Sequence, residues 1–162
     1  SYSLAHRTDR KGTGDLKLID FYMMNKLGQI TSVAQSGDDL LFCFEYETRS
    51  GITCRNVDIG FSLHSITTDQ TLCVFYSSYV GTIFDNIPRS GVFQCKLPKF
   101  PFSPGRYKVG ARVVINGLEA DWPQDGIGFI ELEWGDFYGT GSEGFVGNNL
   151  YLLNGNWQVL PK

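Results

Sequence analysis

Strict alternation of apolar and polar residues after position 105 constrains the fold more than any other feature of the sequence. In residues 105–134, one face of an extended chain collects the apolar side chains of Tyr107, Val109, Ala111, Val113 and Ile115. The opposite face collects Lys108, Gly110, Arg112 and Val114. A period of two is typical of a β-strand with one buried face. The stretch therefore predicts two long strands, joined by a loop that contains Asp121, Trp122, Gln124 and Asp125.

A turn at Pro104-Gly105 precedes the first of these strands, and Tyr107 follows on the apolar face. This arrangement resembles the tyrosine corner of immunoglobulin-like sandwiches, in which the Tyr hydroxyl bonds to the backbone just upstream. Two earlier segments alternate in the same way, with the inward faces Leu40, Phe42, Phe44, Tyr46 and Val57, Ile59, Phe61, Leu63. Roughly eight short strands separated by turn residues predict an all-β protein. We expect an immunoglobulin-like antiparallel β-sandwich, jelly-roll-like in its general form.

Three segments divide the chain. Residues 1–14 are polar, end in Gly12-Thr13-Gly14 and are predicted to be an arm or linker from a preceding domain, outside the core. Residues 15–134 are predicted to form the sandwich. Residues 135–162 are a Gly-rich C-terminal extension with a last apolar piece. A terminal strand there either folds back on its own sheet or is exchanged with a second copy in a dimer.

Charge, hydropathy and cysteine content exclude several classes of protein. A net charge of −3 argues against a nucleic-acid partner, which requires a basic footprint. No apolar run approaches the roughly 18 residues of a membrane span. The four cysteines contain no C-x-x-C pair and lie mostly in strand patterns, which favours reduced, structural thiols in a cytoplasmic protein. Two histidines cannot build a His-rich metal site, and we expect neither a metal nor a cofactor.

Catalytic residues are not predicted. Paired carboxylates are the minimum for glycoside hydrolysis, but Glu131 and Glu133 share one strand face and cannot flank a bond from opposite sides. His64 is the one candidate base for Ser-His-Asp chemistry, and no G-x-S-x-G turn accompanies it.

Two glycines in the middle of strands indicate a binding surface instead. Gly60 and Gly110 fall on the outward faces of their strands, where a Gly often marks close approach of another group. If these strands are neighbours, the glycines form a shallow groove in which Arg112 grips a carboxylate or phosphate. Tyr76, in or beside a loop, is an aromatic side chain suited to stacking on a sugar. The predicted carbohydrate-binding residues are Arg112, His64, Ser62, Gly60, Gly110, Lys108 and Tyr76.

Short motifs in a fixed order resemble a known family. They are Gly12-Thr13-Gly14, Ser36-Gly37-Asp38-Asp39-Leu40, Asp58-Ile59-Gly60-Phe61, Leu97-Pro98, Ser103-Pro104-Gly105-Arg106-Tyr107, Asp121-Trp122 and Gly135-Asp136-Phe137-Tyr138-Gly139-Thr140-Gly141. Together they resemble the C-terminal domain of Wzt-type ATPases, which belong to ABC transporters exporting bacterial O-antigen polysaccharide. The resemblance implies that Asp121 and Trp122 belong to a shared framework and do not choose the glycan.

The resemblance also implies a function and partners. Such a domain is a homodimer that binds the capped non-reducing end of a lipid-linked O-polysaccharide, so that only finished chains are exported. Its partners are then the ABC ATPase domain of the same chain and a membrane permease subunit, in the cytoplasm at the inner face of the inner membrane. Two alternatives stay open from the sequence. One is the binding module, or a small glycosidase, of a secreted glycan-degrading protein, and the other is a purely structural dimerisation domain.

Overall fold

A computed structural model describes residues 1–143 and 149–162 of the chain. Within these ranges, no helix has the length and apolar content needed to cross a membrane. A single 3-10 turn at Ser77–Val80 accompanies the strands of this described part. The strands are β1 Tyr2–Ser3, β2 Arg10–Lys11, β3 Leu16–Asn25, β4 Ile30–Thr31, β5 Val33–Gln35, β6 Leu40–Thr48, β7 Val57–Ser65, β8 Thr71–Tyr76, β9 Ser90–Leu97, β10 Gly105–Ile115, β11 Leu118–Pro123 and β12 Gly128–Glu133.

Two packed sheets confirm the predicted all-β sandwich. The first sheet has the order β1-β3-β6-β9, with β4 beside one end of β3. In the second sheet, β7 runs along one edge of β10, and β12 and β11 follow each other along its opposite edge. β8, β2 and β5 extend this sheet next to β7, β11 and β12. The β5–β12 pair is parallel and the other pairs are antiparallel.

The predicted inward faces form the core between the sheets. The inward-facing apolar side chains of β6 and β7 are buried, and so are Tyr107, Val109, Ala111 and Val113 of β10. Phe42 of the first sheet meets Phe61 of the second edge to face, with 5.0 Å between ring centroids. Aromatic rings at such distances and angles stabilise a core beyond their buried area.

The tyrosine corner predicted at Tyr107 is confirmed. Its buried hydroxyl donates a hydrogen bond of 2.6 Å to the backbone carbonyl of Ser103, four residues upstream. This bond fixes the start of β10, the strand of the second sheet that pairs with β7, β11 and β12.

The predicted loop after β10 is wrong in its first half, because Asp121 and Trp122 lie in strand β11. Asn116 and Gly117 both have positive φ, at 52° and 75°, and join β10 to β11 in a tight hairpin. Asn-Gly is the pair that such a two-residue turn favours. The stretch therefore contains three strands.

The prediction that residues 1–14 stay outside the core is also wrong. Leu4 is fully buried in the core, and β1 pairs with β3. β2 pairs with β11, and there Arg10 forms a buried ion pair of 3.0 Å with Asp121. The arm packs because it supplies both an apolar side chain and the cation that this buried carboxylate requires.

The C-terminal extension contains no strand within its described residues, 135–143 and 149–162. Tyr151 forms an isolated bridge with Phe102, and Leu152 is buried beside it. Beyond this point the chain exposes Trp157 completely, together with Val159 and Leu160. No terminal strand thus forms in residues 149–162, and exchange with a second copy stays a prediction.

The cysteines are free thiols in this structure. Cys43 and Cys54 are buried, and burial raises the pKa of both thiols. A raised pKa keeps these groups protonated at neutral pH, so each acts as a small apolar side chain.

Candidate functional site

The pairing of β7 with β10 brings the predicted site residues together on the outer face of the second sheet. Its register places Gly60 opposite Arg112, Ser62 opposite Gly110, and His64 opposite Lys108. On the other side of β7, the pairing with β8 places Tyr76 opposite Gly60. Along these strands, residues that line the site alternate with residues that point into the core.

All seven predicted residues line one open cavity of about 260 Å³, here called the outer cavity. Its opposite wall comes from β11 and the turn after it. The side chains and backbone that form this wall are Trp122, Pro123, Gln124 and Gly126. Asp69 and Thr71, at the β7–β8 turn, also line the cavity.

Gly60 and Gly110 make room for side chains of this chain itself, and their part in binding a ligand stays a prediction. A Cβ atom on Gly60 would overlap the ring of Tyr76. A Cβ atom on Gly110 would lie 2.6 Å from the Ser62 hydroxyl oxygen and 3.2 Å from His64 Nε2. The two glycines therefore let Tyr76, Ser62 and His64 lie flat on the sheet as the floor of the outer cavity.

Hydrogen bonds hold the His64 ring in this floor. Its Nε2 atom lies 2.7 Å from the Ser62 hydroxyl oxygen, and its Nδ1 atom lies 3.2 Å from the Thr71 hydroxyl oxygen. Both ring nitrogens thus have a hydroxyl partner, which fixes the orientation of the ring. Each hydroxyl keeps further donor or acceptor capacity for a group in the cavity.

The two cations of the outer cavity each have carboxylate partners within this chain. Lys108 Nζ lies 2.6 Å from Asp69 and 3.5 Å from Asp125, and the hydrogen bond with Asp69 raises the pKa of Lys108. Arg112 donates from Nε to Glu119. Glu119 therefore holds the position that was predicted for an external carboxylate or phosphate.

The Arg112 guanidinium also makes contacts on its other sides. Hydrogen bonds with Tyr76 and with Glu119 raise the pKa of Arg112. Its central carbon lies 5.3 Å from the centroid of the Trp122 ring, a cation–π distance. Arg112 is therefore a bridge between the floor and the opposite wall of the cavity.

Trp122 belongs to this site although sequence reasoning assigned it to a shared framework. Its side chain lies on the outer face of β11, is 39% exposed and lines the cavity. The neighbouring Asp121 points inward, where it accepts hydrogen bonds of 2.8 Å from the Leu18 amide and 3.0 Å from Arg10. The β10–β11 register shifts between Val113 and Val114, and Ala120 and Asp121 are both buried, so simple alternation from the Asn116-Gly117 hairpin would not have predicted these two faces.

The carboxylates weighed for catalysis lie elsewhere. Glu131 and Glu133 are exposed, and neither lines the outer cavity. Glu131 faces Arg106 at 3.9 Å. In the part of the chain that the structure describes, His, Cys, Asp and Glu side chains form no cluster of three that could hold a metal ion.

Comparison with known proteins identifies the fold. Neither a protein-family model nor a curated protein sequence matches the chain. Among solved structures, the crystal structure of the C-terminal domain of wzt matches with a TM-score of 0.68, covering 96% of this chain and 92% of that domain. The chain has the fold of that domain. The two sequences are 15% identical. A CARDB domain from Pyrococcus furiosus, solved in complex with di-metal ions, matches with a TM-score of 0.39 and 9% identity. This match covers 75% of this chain and 97% of that one.

Proposed function

We propose that this domain binds carbohydrate without altering it, and that its ligand is the capped non-reducing end of a lipid-linked O-antigen polysaccharide. Binding would then couple chain completion to export by an ABC transporter. The observation that carries the proposal is the composition of the outer cavity. An exposed Trp ring stands there opposite hydroxyl, imidazole and charged groups, in a domain that has the fold of the C-terminal domain of wzt.

Chemical complementarity supports a sugar as the ligand. A pyranose ring has an apolar face of C–H groups that can pack on an aromatic ring such as that of Trp122, and its hydroxyls require donors and acceptors around the edge. Ser62, His64, Thr71 and Asp69 offer both within one cavity.

The size of the outer cavity favours a chain end over a chain interior. Its volume of about 260 Å³ lies below the roughly 300–1,000 Å³ typical of pockets for drug-sized ligands. A terminal sugar with a small substituent fits such a space.

The same proposal assigns partners and location. The domain acts as a homodimer, beside an ABC ATPase domain of the same chain and a membrane permease, in the cytoplasm at the inner face of the inner membrane. The exposed apolar side chains of Trp157, Val159 and Leu160 support the dimer, because a second copy could cover them. Truncation after residue 152 should then yield a monomer in sedimentation velocity, and a truncated chain that stays dimeric would contradict this role of the tail.

Substitution of two exposed tryptophans tests the proposed site. Trp122→Ala removes the ring from the outer cavity, and Trp157→Ala removes a fully exposed ring far along the chain, in the terminal tail. With monovalent polysaccharide ends from the source organism, calorimetry should show at least a tenfold weaker affinity for Trp122→Ala, since a buried aromatic anchor contributes about 1.4 kcal/mol or more. Trp157→Ala should bind like the wild type. Equal affinities for all three proteins would refute the placement of the site.

A further inference from the structure

We infer that the outer cavity selects an uncharged sugar end against an anionic one, and that Glu119 is the main residue that sets this preference. The inference rests on the proposed function, and it narrows the class of ligand that the same site takes. It reverses the sequence-based hypothesis in which Arg112 grips a carboxylate or phosphate.

The balance of charge around the cavity is the first observation. The cationic side chains that line the cavity are Lys108 and Arg112. Lys108 has Asp69 at 2.6 Å and Asp125 at 3.5 Å, and Arg112 has Glu119. Lys11 Nζ also lies 5.7 Å from the centroid of the Trp122 ring, so three carboxylates stand against three cations and the region offers no surplus of positive charge to an incoming anion.

The geometry of Arg112 is the second observation. Its Nε group donates to Glu119, and the Trp122 ring centroid lies 5.3 Å from the guanidinium carbon. An external phosphate could replace Glu119 only by leaving that carboxylate beside a second anion. The side chain of Glu119 is 25% exposed, so solvent screens this repulsion only in part.

Uncharged groups supply the remaining contacts. The hydroxyls of Ser62 and Thr71, the His64 ring and the Gln124 amide line the cavity together with the Trp122 ring. Asp69 can accept a hydrogen bond from a sugar hydroxyl without meeting a like charge. An uncharged sugar or a methyl ether matches every one of these surfaces.

Inorganic phosphate is the probe that isolates the role of Glu119. We would titrate phosphate into isotope-labelled wild type, Glu119→Gln and Glu131→Gln and follow the Arg112 Nε–H signal by NMR. Glu131→Gln is the matched control, since it removes one negative charge from the same sheet outside the cavity. Glu119→Gln should bind phosphate about tenfold more tightly than wild type. One neighbouring charge typically shifts a pKa by roughly one unit, and the same interaction energy changes an affinity about tenfold. Glu131→Gln should match wild type within about twofold.

Equally tight phosphate binding by wild type and Glu119→Gln at Arg112 would overturn the inference. If Glu119→Gln does not fold, Asp69→Asn provides the test of charge at Lys108, because Asp69 lines the cavity, is the carboxylate nearest to Lys108 at 2.6 Å and is 70% exposed, so its loss leaves the core intact. A gain in phosphate affinity at Lys108 supports the inference, and no gain contradicts it.

A glycan array with matched pairs separates this inference from the proposed function. Each pair presents the same terminal sugar either neutral or as its phosphate or uronic acid. Wild type should bind neutral members, with an affinity that changes little with salt. Tighter binding of the anionic members, lost at high salt, would refute the inference alone. Binding to no member of either kind would refute the proposed function, and the inference with it.

Discussion

The buried ion pair between Arg10 and Asp121 gives the sharpest prediction for stability. Asp121 accepts hydrogen bonds from Arg10 and from the Leu18 amide, and so joins the N-terminal segment to β3 and β11. The two charged side chains are 9% and 2% exposed. Asp121→Asn keeps the size of the side chain and an oxygen for the Leu18 amide. It leaves the Arg10 charge without a counter-ion.

Removal of one member of a buried pair costs about 3–5 kcal/mol, because the remaining charge stays out of water. The retained bond to Leu18 puts Asp121→Asn at the low end, near 3 kcal/mol. Small domains have unfolding free energies of about 5–15 kcal/mol, so the loss is a substantial fraction of the total.

Urea unfolding of a double-mutant cycle measures this energy. The proteins are wild type, Asp121→Asn, Arg10→Met and the double variant. Asp121→Asn alone should lose about 3 kcal/mol, and the double variant should lose less than the two single losses together, because it leaves no unpaired charge. Glu131→Gln, an exposed carboxylate, is the control and should keep the wild-type midpoint. A loss below about 1 kcal/mol for Asp121→Asn, or strictly additive losses, would refute the assigned role of the pair.

Three further predictions concern other parts of the chain. Tyr107→Phe should lose about 1–3 kcal/mol in urea unfolding, because the buried carbonyl at the tyrosine corner loses its donor. Gly60→Ala should displace the Tyr76 ring from the cavity floor, lower the free energy of unfolding by about 1–3 kcal/mol and weaken glycan binding. Asp9 should titrate near a pKa of about 2 in NMR, because Arg7 donates hydrogen bonds to its carboxylate. Its folded pKa is below the unfolded one, so its contribution to stability is present above pH 3.8 and is lost as pH falls through about 2.

Each of these three predictions has a control. Tyr79→Phe, at a ring that is 65% exposed and lies outside the core, should leave the urea midpoint near that of wild type, and an equal loss from both Tyr variants would contradict the corner. Gly81→Ala adds a Cβ into open space, although its positive φ of 76° brings backbone strain, and it should not alter glycan binding. Arg7→Met should return the Asp9 pKa toward its usual value, and an unchanged low pKa would contradict the assigned cause.

Local alternation accounts for what the sequence predicted well. The inward faces of β6, β7 and β10 follow from a period of two, and the hydroxyl of Tyr107 bonds only four residues back along the chain. Six of the seven site residues came together because two outward faces were assigned to neighbouring strands, and the β7–β10 register bears this out, whereas Tyr76 joins them from β8.

Contacts between distant segments account for what the sequence did not predict. The burial of Leu4 depends on pairing between β1 and β3, and the partner of Arg10 lies 111 positions away. Periodicity shows that Gly60 faces outward, but only the β7–β8 pairing shows that Tyr76 covers it. The sequence did not predict the role of Glu119, because the Asn116-Gly117 turn was assigned to a loop. The hairpin at this turn places Glu119 beside Arg112.

Binding of the domain to capped and uncapped forms of the same O-polysaccharide tests the proposed function most directly. Both forms should come from one source, differ only in the terminal group and be titrated by calorimetry at one salt concentration. We expect the capped form to bind at least about tenfold more tightly, equivalent to 1.4 kcal/mol, and Trp122→Ala to abolish most of that difference. Equal affinity for the two forms, or binding to neither, would contradict recognition of a capped chain end.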